Sequence, residues 1–297
     1  MEPEPSIRQT GEDALVARLL PLMPSNPSLE TGPGDDCAII RGSGNRQLLL
    51  KTDCVVEGMH FQPGTDPELI GRKALARAVS DIGAMGGTPL HALVTLFVHA
   101  DRPISQVEGI YRGMGGWRGS SASASPGESS GLPADGLIIN VALTGEVEAG
   151  KAVLRSTARA GDLIAVTGTL GGSFPTGHHL SFMPRVREGG ILAASGVATS
   201  MMDLSDGLGT DLPRLAAASG LGFRIHEELL PVRPGFTTAQ AVGDGEDYEL
   251  LVTFRPGDRE RAARLAAEHF PETPLTVIGE MTAETASTLP PGYRHFS

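Results

Sequence analysis

The stretch GRKALARAVSDIGAMGGTP, residues 71–89, sets the order of helix and strand in the first half of the chain. Its apolar residues recur at spacings of four and three, which predicts one buried face on a helix over 69–85; they are Leu75, Val79 and Ile82. Gly86-Gly87 and then Pro89 end this helix. The apolar run at 90–98 follows at once and is typical of a buried strand.

Further strands are predicted on both sides of this helix. The segments 37–40 and 47–51 flank the turn sequence GSGN and indicate a hairpin. Apolar runs at 137–143 and 163–166 predict two more strands, and residues 12–22 predict a short amphipathic helix. Helices and strands that alternate in this way indicate a mixed α/β (α+β) fold.

The segment 113–136 differs from the rest of the chain in composition. It reads GMGGWRGSSASASPGESSGLPADG, with almost no large apolar side chain. Glycine, serine and proline in this density predict a flexible loop. Loops of this length inside a compact domain are usually functional or disordered.

The size and charge of the chain limit what it can be. Its 297 residues correspond to roughly two domains, and the change of pattern places the boundary near residue 148. There are 24 Lys and Arg against 35 Asp and Glu, so the net charge is −11, and no run of five basic residues occurs. This charge pattern argues against a nucleic-acid binder and suits a protein that binds cations.

Cysteine usage and the N-terminus indicate a cytoplasmic chain. Cys37 and Cys54 are too few for a disulfide framework and lack the CxxC spacing of a zinc site. The opening MEPEPSIRQTGED has no basic region followed by an apolar one. No apolar run reaches the 18 residues of a membrane span. We therefore expect neither a membrane segment nor a membrane partner.

Acidic residues recur beside glycine, serine or threonine at predicted turns and element ends. Each of these turns alone is most simply a helix cap or an Asx turn. Carboxylates collected from several loops, with hydroxyls adjacent, are also what Mg²⁺ uses when it bridges a protein to substrate phosphates. Taken together the turns favour a magnesium site; they are Asp35-Asp36, Thr52-Asp53, Ser80-Asp81, Asp203 to Gly207, and Gly245 to Asp247.

Familiar nucleotide motifs do not occur in the chain. There is no GxxxxGK[ST], no GxGxxG and no protein-kinase motif set, so any ATP site has another design. The glycine-rich turn at 168–172 is either a phosphate cradle or an ordinary turn. Ser205 has no histidine partner in a recognisable motif and both cysteines have apolar neighbours, so no covalent nucleophile is expected.

Seven separated motifs, in order between about residues 30 and 283, carry a family resemblance. They are GPGDDCAI, KTDCVVEGMHF, GRKALARAVSDIGAMGGTP, VALTGEV, LRSTARAGDLIAVTGTLGGS, MDLSDGLGTDL and GDGEDYELLVTF. Together they resemble thiamine-monophosphate kinase, in the aminoimidazole ribonucleotide synthetase superfamily. The resemblance implies a two-domain fold, with an N-terminal domain over 1–148 whose sheet pairs across a homodimer and a larger α+β domain over 149–297.

The resemblance also implies an activity and a set of site residues. The activity is Mg²⁺-dependent transfer of the ATP γ-phosphoryl group directly to thiamine monophosphate, giving thiamine diphosphate, with several metal ions and no phosphoenzyme. The implied metal ligands are Asp35, Asp36, Thr52, Asp53, Asp81, Glu128, Asp203 and Asp206. The implied ATP contacts are Gly127, Glu128, Arg155 and Ser205. The implied substrate contacts are His60, Glu246 and Tyr293.

Two positions depart from the family pattern. Gly127 and Glu128, within SASASPGESS, stand where the family has a buried strand leading into Gly and a metal-binding Asp. A glutamate keeps the carboxylate but adds a methylene, and Mg²⁺ tolerates little deviation from octahedral geometry. Lys51 stands where the family usually has Ser, and its ammonium either displaces a metal ion or contacts phosphate.

Two other functions remain open at this point. One is a different enzyme of the superfamily, such as a selenophosphate synthetase or aminoimidazole ribonucleotide synthetase. The former carries a reactive Cys or selenocysteine on a glycine-rich arm, and none precedes residue 34. The other is a non-enzymatic regulator that binds nucleotide or thiamine phosphate while the segment 113–136 has degenerated. The retained acidic residues argue against it, because a binding module needs fewer metal ions.

Overall fold

The computed structural model describes residues 6–24, 26–32, 34–115, 123–132, 136–285 and 289–292. In these residues eleven strands form two separate sheets. The first sheet uses strands between residues 29 and 148, and the second uses strands between residues 163 and 282. None of the described helices is both long enough and apolar enough to cross a bilayer.

The first sheet has six strands in the order β1-β2-β3-β6-β4-β5. Neighbouring strands are antiparallel except β4 and β5, which are parallel. The predicted hairpin is confirmed, since Ala38 in β2 pairs with Leu50 in β3. The strands are β1 (Leu29–Thr31), β2 (Ala38–Arg41), β3 (Arg46–Val56), β4 (Thr88–Val98), β5 (Ser123–Gly131) and β6 (Leu137–Glu148).

Four helices accompany this sheet, and the third of them organises the site. They are α1 (Ile7–Thr10), α2 (Glu12–Leu19), α3 (Pro67–Ala84) and α4 (Ile104–Gly115), with a 3₁₀ turn at Leu20–Leu22. The Asp66 carboxylate caps α3 by accepting the Glu68 N–H at 2.8 Å, and Pro67 occupies the first helical position. The helix predicted over 69–85 is therefore confirmed, with its start two residues earlier.

The two faces of the first sheet have different surroundings. Along β3, Leu49 and Val55 are buried in the core with α3, whereas Leu50 and Cys54 are exposed. Successive side chains of a strand point to opposite faces. Lys51 and Asp53 therefore lie on the α3 side, and Thr52 lies on the exposed side.

The second sheet has five antiparallel strands in the order β8-β10-β7-β11-β9. The strands are β7 (Leu163–Thr167), β8 (Ala198–Asp203), β9 (Gly222–Ile225), β10 (Leu250–Phe254) and β11 (Leu275–Thr282). The helices are α5 (Ser173–Thr176), α6 (His178–Ser181), α7 (Val186–Ser195), α8 (Leu208–Ala218), α9 (Thr238–Gly243) and α10 (Arg259–His269). Short 3₁₀ turns lie at Arg155–Thr157, Glu227–Leu229 and Pro256–Asp258.

Helix α3 joins the two halves of the molecule. It packs against α7, and a Cβ added to Gly189 of α7 would lie only 2.1 Å from the Gly83 carbonyl oxygen of α3. One turn away, Ser80 Oγ donates a hydrogen bond of 2.5 Å to Asp203 at the end of β8. The close backbone approach therefore carries the end of α3 to the end of β8.

The expectation of a loop over 113–136 is wrong for much of that segment. Residues up to Gly115 belong to α4, and 123–131 form β5, which pairs in parallel with β4. The strand lies at the sheet edge, where main-chain hydrogen bonds to one neighbour suffice and most described side chains are exposed. Composition alone did not reveal it, because this strand buries little apolar surface. Residues 116–122 and 133–135 lie outside the described part of the chain.

Candidate active site

Three buried carboxylates meet where α3 passes the end of β8. Asp36 lies in the turn before β2, Asp81 on α3 and Asp203 at the end of β8. One ligand oxygen from each lies within 4.8 Å of the others. The sequence predicted that these three residues share a site, and the fold brings them together from three separate elements.

The carboxylate cluster, Asp36, Asp81 and Asp203, has an excess of negative charge. Burial first, and then the charge of Asp36, raises the pKa of Asp203 to about 7. Burial also raises the pKa of Asp81 well above its usual value, with Asp203 adding to the effect against the opposing charge of Lys51. Asp36 Oδ2 is buried and accepts no hydrogen bond from any described residue. Hard oxygen donors with an unused lone pair fit a divalent cation such as Mg²⁺.

Two cationic side chains reach into the cluster. Lys51 Nζ lies 2.8 Å from Asp81 Oδ1, and the Arg155 guanidinium donates to Asp36. Burial would lower the pKa of Lys51, but Asp81 and then Asp53 raise it, so the side chain stays charged. The departure at Lys51 therefore places a fixed positive charge beside one of the predicted metal ligands.

Asp35 and Asp53 flank the cluster. The Arg155 main-chain N–H donates to Asp35 Oδ2 at 3.0 Å. Burial, followed by the neighbouring Asp36, raises the pKa of Asp35 to about 6. Burial would also raise the pKa of Asp53, but the charges of Arg77 and then Lys51 lower it.

Two predicted metal ligands have side chains placed elsewhere. The Thr52 hydroxyl is not among the cluster oxygens, because it lies on the exposed face of the sheet and donates to Asn140 Oδ1 at 3.1 Å. Asp206 is also absent from the cluster; its carboxylate pairs with Arg214 and lines the cavity described next. Asp203 therefore contributes to the cluster and Asp206 to the cavity, although only two residues separate them in the chain.

A cavity of about 440 Å³ adjoins the cluster and brings together residues from both halves of the chain. Apolar surface comes from Met59, Phe174, Pro175 and Tyr248. Polar lining comes from His60, Arg77, Ser205, Asp206, Gln240, Asp244 and Glu246, with Gly243, Gly245 and Gly292 completing the wall. Volume and lining suit a small organic ligand with charged groups.

His60 and Glu246, both predicted to face a substrate, line this cavity. His60 Nδ1 accepts the Val56 N–H at 3.0 Å, which fixes the ring. Glu246 has φ +68°, a conformation rare outside glycine, and its N–H donates to Ser205 O at 2.7 Å. Its carboxylate pairs with Lys73, a fully buried lysine that also donates to the His60 carbonyl at 2.5 Å. Lys73 thus holds both His60 and Glu246.

The glycine-rich turn at 168–172 supports the cavity, and four of its five main-chain N–H groups donate hydrogen bonds within the protein. Gly171 N–H donates to Asp247 Oδ2 at 2.8 Å, and Gly172 N–H donates to Asp244 Oδ2 at 2.8 Å. Between the two alternatives left open by the sequence, the ordinary turn is therefore the one found. These bonds hold the segment 244–247 against the cavity.

The remaining predicted residues fall into three groups. Ser205 and Arg155 lie at the cavity and the cluster, respectively. Gly127 lies in β5, where an added Cβ would be 2.8 Å from the Val94 carbonyl oxygen, so a larger residue would push the strands apart. Tyr293 and the Glu128 side chain lie outside the described residues.

Sequence reasoning missed Lys73 and Arg77. Both are on α3: Arg77 lies four residues after Lys73 and four residues before Asp81. Residues four apart lie on one face of a helix. Charged residues at this spacing on a helix otherwise rich in alanine were the available signal, but their partner Glu246 is far away in the chain.

Comparison with known proteins gives consistent relatives for both halves. Residues 34–147 match the N-terminal domain of AIR synthase related proteins, and residues 162–290 match the C-terminal domain. The thiamine-monophosphate kinase of Bacillus subtilis is 31% identical, covering 95% of this chain and 98% of that protein. The thiamine-monophosphate kinase of Escherichia coli K12 is 33% identical, covering 92% and 91%.

A solved structure resembles the whole chain. It is AaThiL complexed with AMPPCP and TMP, which is 28% identical and superposes with a TM-score of 0.82. The similarity covers 98% of this chain and 99% of that one. The sequence and structure comparisons thus each match more than nine tenths of this chain.

Proposed function

Because this chain belongs to the thiamine-monophosphate kinase family, it phosphorylates thiamine monophosphate with ATP, and we propose how its site does so. We infer that Asp36, Asp81 and Asp203 hold the Mg²⁺ ions of this reaction, with Asp35 and Asp53 beside them. The observation that carries this inference is the approach of three buried carboxylates within 4.8 Å, one of them with an oxygen that accepts no hydrogen bond from the described residues. Bound Mg²⁺ would neutralise charge on the transferring phosphoryl group.

The chain's own residues position the two substrates. Arg155, held at the cluster by Asp36, offers a planar guanidinium to phosphate oxygens of ATP, and Ser205 and Gly127 are its proposed companions. The acceptor occupies the cavity, where Phe174 and Tyr248 provide ring surfaces. Glu246 and His60 face the acceptor, and Lys73 keeps them in place.

The reaction needs no covalent intermediate and no general base. A phosphate monoester has a second pKa of about 6, so the acceptor already carries a negatively charged oxygen near neutral pH. That oxygen forms a bond to the γ-phosphorus as the bond from the γ-phosphorus to the bridging oxygen of ADP breaks. The protein acts by orientation and charge neutralisation, as in other phosphoryl transfers.

We also propose a homodimer formed through the exposed face of the first sheet. Leu50 and Leu93 are 38% and 59% exposed on neighbouring parts of that face, which leaves apolar surface for a second copy to cover. Size-exclusion chromatography with light scattering tests the dimer.

The proposed domain boundary stays near residue 148, and the proposed location is the cytoplasm.

The activity is tested by direct measurement of product. Purified protein is incubated with ATP, Mg²⁺ and thiamine monophosphate, and thiamine diphosphate is measured by chromatography, with unphosphorylated thiamine as control acceptor. We expect thiamine diphosphate from the monophosphate only, with ATP consumed only in its presence. Saturable binding of both ligands without product would instead favour the non-enzymatic regulator.

A further inference from the structure

Three charged residues form a row along one face of α3. Lys73, Arg77 and Asp81 are spaced by four residues, so each lies about 6 Å further along the helix than the last. Lys73 contacts Glu246 at the cavity, and Asp81 belongs to the carboxylate cluster. Arg77 therefore lies midway between the acceptor cavity and the proposed metal ions.

The Arg77 guanidinium contacts both sides of the site. Its Nε and Nη2 lie 3.3 Å from the two Asp53 carboxylate oxygens, and its Nη1 lies 3.5 Å from Glu246 Oε1. Nη1 is buried and donates no hydrogen bond to any described residue. The side chain lines the cavity and is 12% exposed. A charged group with unused donors therefore stands at the inner wall of the acceptor cavity.

The charges of the cavity favour one orientation of a thiamine phosphate. Among the described lining residues, Arg77 is the one guanidinium or ammonium group, against the carboxylates of Asp206, Asp244 and Glu246. Thiamine carries a fixed positive charge on its thiazolium ring, and its monophosphate carries negative charge at the other end. Placing the phosphate near Arg77 matches both charges and directs the phosphate towards Asp81 and the proposed metal ions.

We propose that Arg77 binds the phosphate of the acceptor and thereby makes the site select thiamine monophosphate over thiamine. The inference rests on the proposed function for the identity of the acceptor and adds the residue that distinguishes the phosphorylated form. Arginine suits this task because its planar, permanently charged group donates several hydrogen bonds in a fixed geometry.

A purely structural Arg77 would behave differently. It already bridges Asp53 and Glu246, so its loss could loosen the cavity as a whole. Loosening would weaken the binding of thiamine and of thiamine monophosphate by similar factors. A phosphate contact predicts a selective loss, because only one of these two ligands has the phosphate.

The test compares two ligands on Arg77→Gln in the Mg²⁺-containing protein. Isothermal titration calorimetry gives Kd for thiamine monophosphate and for thiamine, and the ratio of the two is the readout. We expect the preference for the monophosphate to fall by roughly tenfold or more, with the Kd for thiamine nearly unchanged. Arg72→Gln is the matched control, since Arg72 lies on the same helix, donates to the Leu180 carbonyl and does not line the cavity.

A second variant keeps the test decisive if Arg77→Gln does not fold. Arg77→Lys retains the charge but loses the planar guanidinium group. We expect a preference for thiamine monophosphate over thiamine between those of the unaltered protein and Arg77→Gln, with KM for thiamine monophosphate raised more than KM for ATP. An unchanged ratio, or equal weakening of both ligands, overturns the inference in either variant. Failure of the proposed function is a separate result, because it appears as absence of product from the unaltered protein.

Discussion

At the residue level, Lys51 is the unusual residue of the proposed metal site. Its ammonium lies 2.8 Å from Asp81 on the same sheet face as Asp53, so it partly neutralises the carboxylates that we propose as Mg²⁺ ligands. A lysine is a compact point charge that cannot bridge two phosphates as Mg²⁺ does. Lys51 therefore neutralises carboxylates that a metal ion would also neutralise, but it cannot hold two phosphates together as the metal ion does.

Replacing this lysine should strengthen metal binding. In Lys51→Ser, the repulsion between the ammonium and an incoming Mg²⁺ is removed, and we expect the Mg²⁺ affinity to rise about tenfold. This is about 1.4 kcal/mol, well below the roughly 4 kcal/mol that two unit charges about 4 Å apart exert near a protein surface. Titration calorimetry with Mg²⁺ measures it. Lys151→Ser, at an exposed position, is the control. Unchanged or weaker Mg²⁺ binding would show that Lys51 does not oppose the metal.

Removing a carboxylate from the cluster should abolish activity. Asp81→Asn loses a proposed Mg²⁺ ligand and leaves Lys51 without its partner, so kcat/KM for thiamine monophosphate should fall by about 100-fold or more. Asp53→Asn should also lose activity. The comparison is Asp101→Asn, whose carboxylate is 91% exposed. Normal turnover in Asp81→Asn would remove it from the set of ligands.

The sequence predicted the residues of the cluster better than their neighbours. Asp36, Asp81 and Asp203 each stand beside a glycine, a serine or a turn, and this pattern can be recognised from the sequence alone. The side chain of Thr52 lies on the opposite sheet face from Lys51 and Asp53, and this placement follows only from the pairing of β3. Lys73 was missed because its role depends on the ion pair with Glu246, and these two residues come into contact only in the folded protein.

At the level of elements, the contact between α3 and α7 sets the geometry of the site. The two helices touch through the glycines at 83 and 189, which permits the hydrogen bond between Ser80 and Asp203. Periodicity predicted α3 well, since its buried face repeats regularly. The edge strand β5 was not predictable from composition, because its pairing depends on main-chain groups common to every sequence.

Filling this contact should destabilise the protein. In Gly189→Ala the new methyl group would meet the Gly83 carbonyl, and we expect the free energy of unfolding to fall by about 1–3 kcal/mol. Urea denaturation measures it. Gly190→Ala is a matched control in the same helix, where an added Cβ meets nothing within 4 Å, and alanine should be neutral or slightly stabilising. Equal effects of the two substitutions would contradict this account.

At the level of the whole molecule, both halves are needed for one site. Asp36 and Asp81 come from the half with the first sheet, and Asp203 and Glu246 come from the half with the second. Sequence patterns predicted α2, α3 and the strands β2, β3, β4, β6 and β7. They gave no information on how the halves face each other, since that depends on close contacts such as the glycine pair.

The buried carboxyls make the stability of the metal-free protein depend on pH. Burial is the main cause that raises the pKa of Asp203 and Asp247 to about 7 and of Asp211 to about 8. Unfolded aspartates have a pKa of about 3.9. The folded state therefore holds more protons than the unfolded state, and its stability decreases as pH rises through these values. Burial is the main cause that lowers the pKa of His178 to about 4. This histidine therefore makes the stability rise with pH, but only below about pH 6.5, the pKa of an unfolded histidine.

This dependence is measured between pH 6.5 and 8.0 with a chelator present. We expect the free energy of unfolding in urea to fall by about 1–2 kcal/mol across this interval. Added Mg²⁺ at pH 8.0 should restore it, because the ion binds the folded state. Asp211→Asn should reduce the slope. A stability that rises over the same interval would mean that these carboxyls are already ionised in the folded protein.

Helix α3 fixes the distance between the acceptor cavity and the proposed metal site. It carries Arg77, the proposed contact of the acceptor phosphate, and Asp81, a proposed metal ligand, on one rigid element. Their separation along the helix is therefore set by the helical rise. One residue inserted between Arg77 and Asp81 would turn Asp81 by about 100° and remove it from the cluster. Changes of length that keep the activity therefore have to lie outside this stretch. Exchange of side chains at positions 73 and 77 remains open as a route to other phosphorylated acceptors.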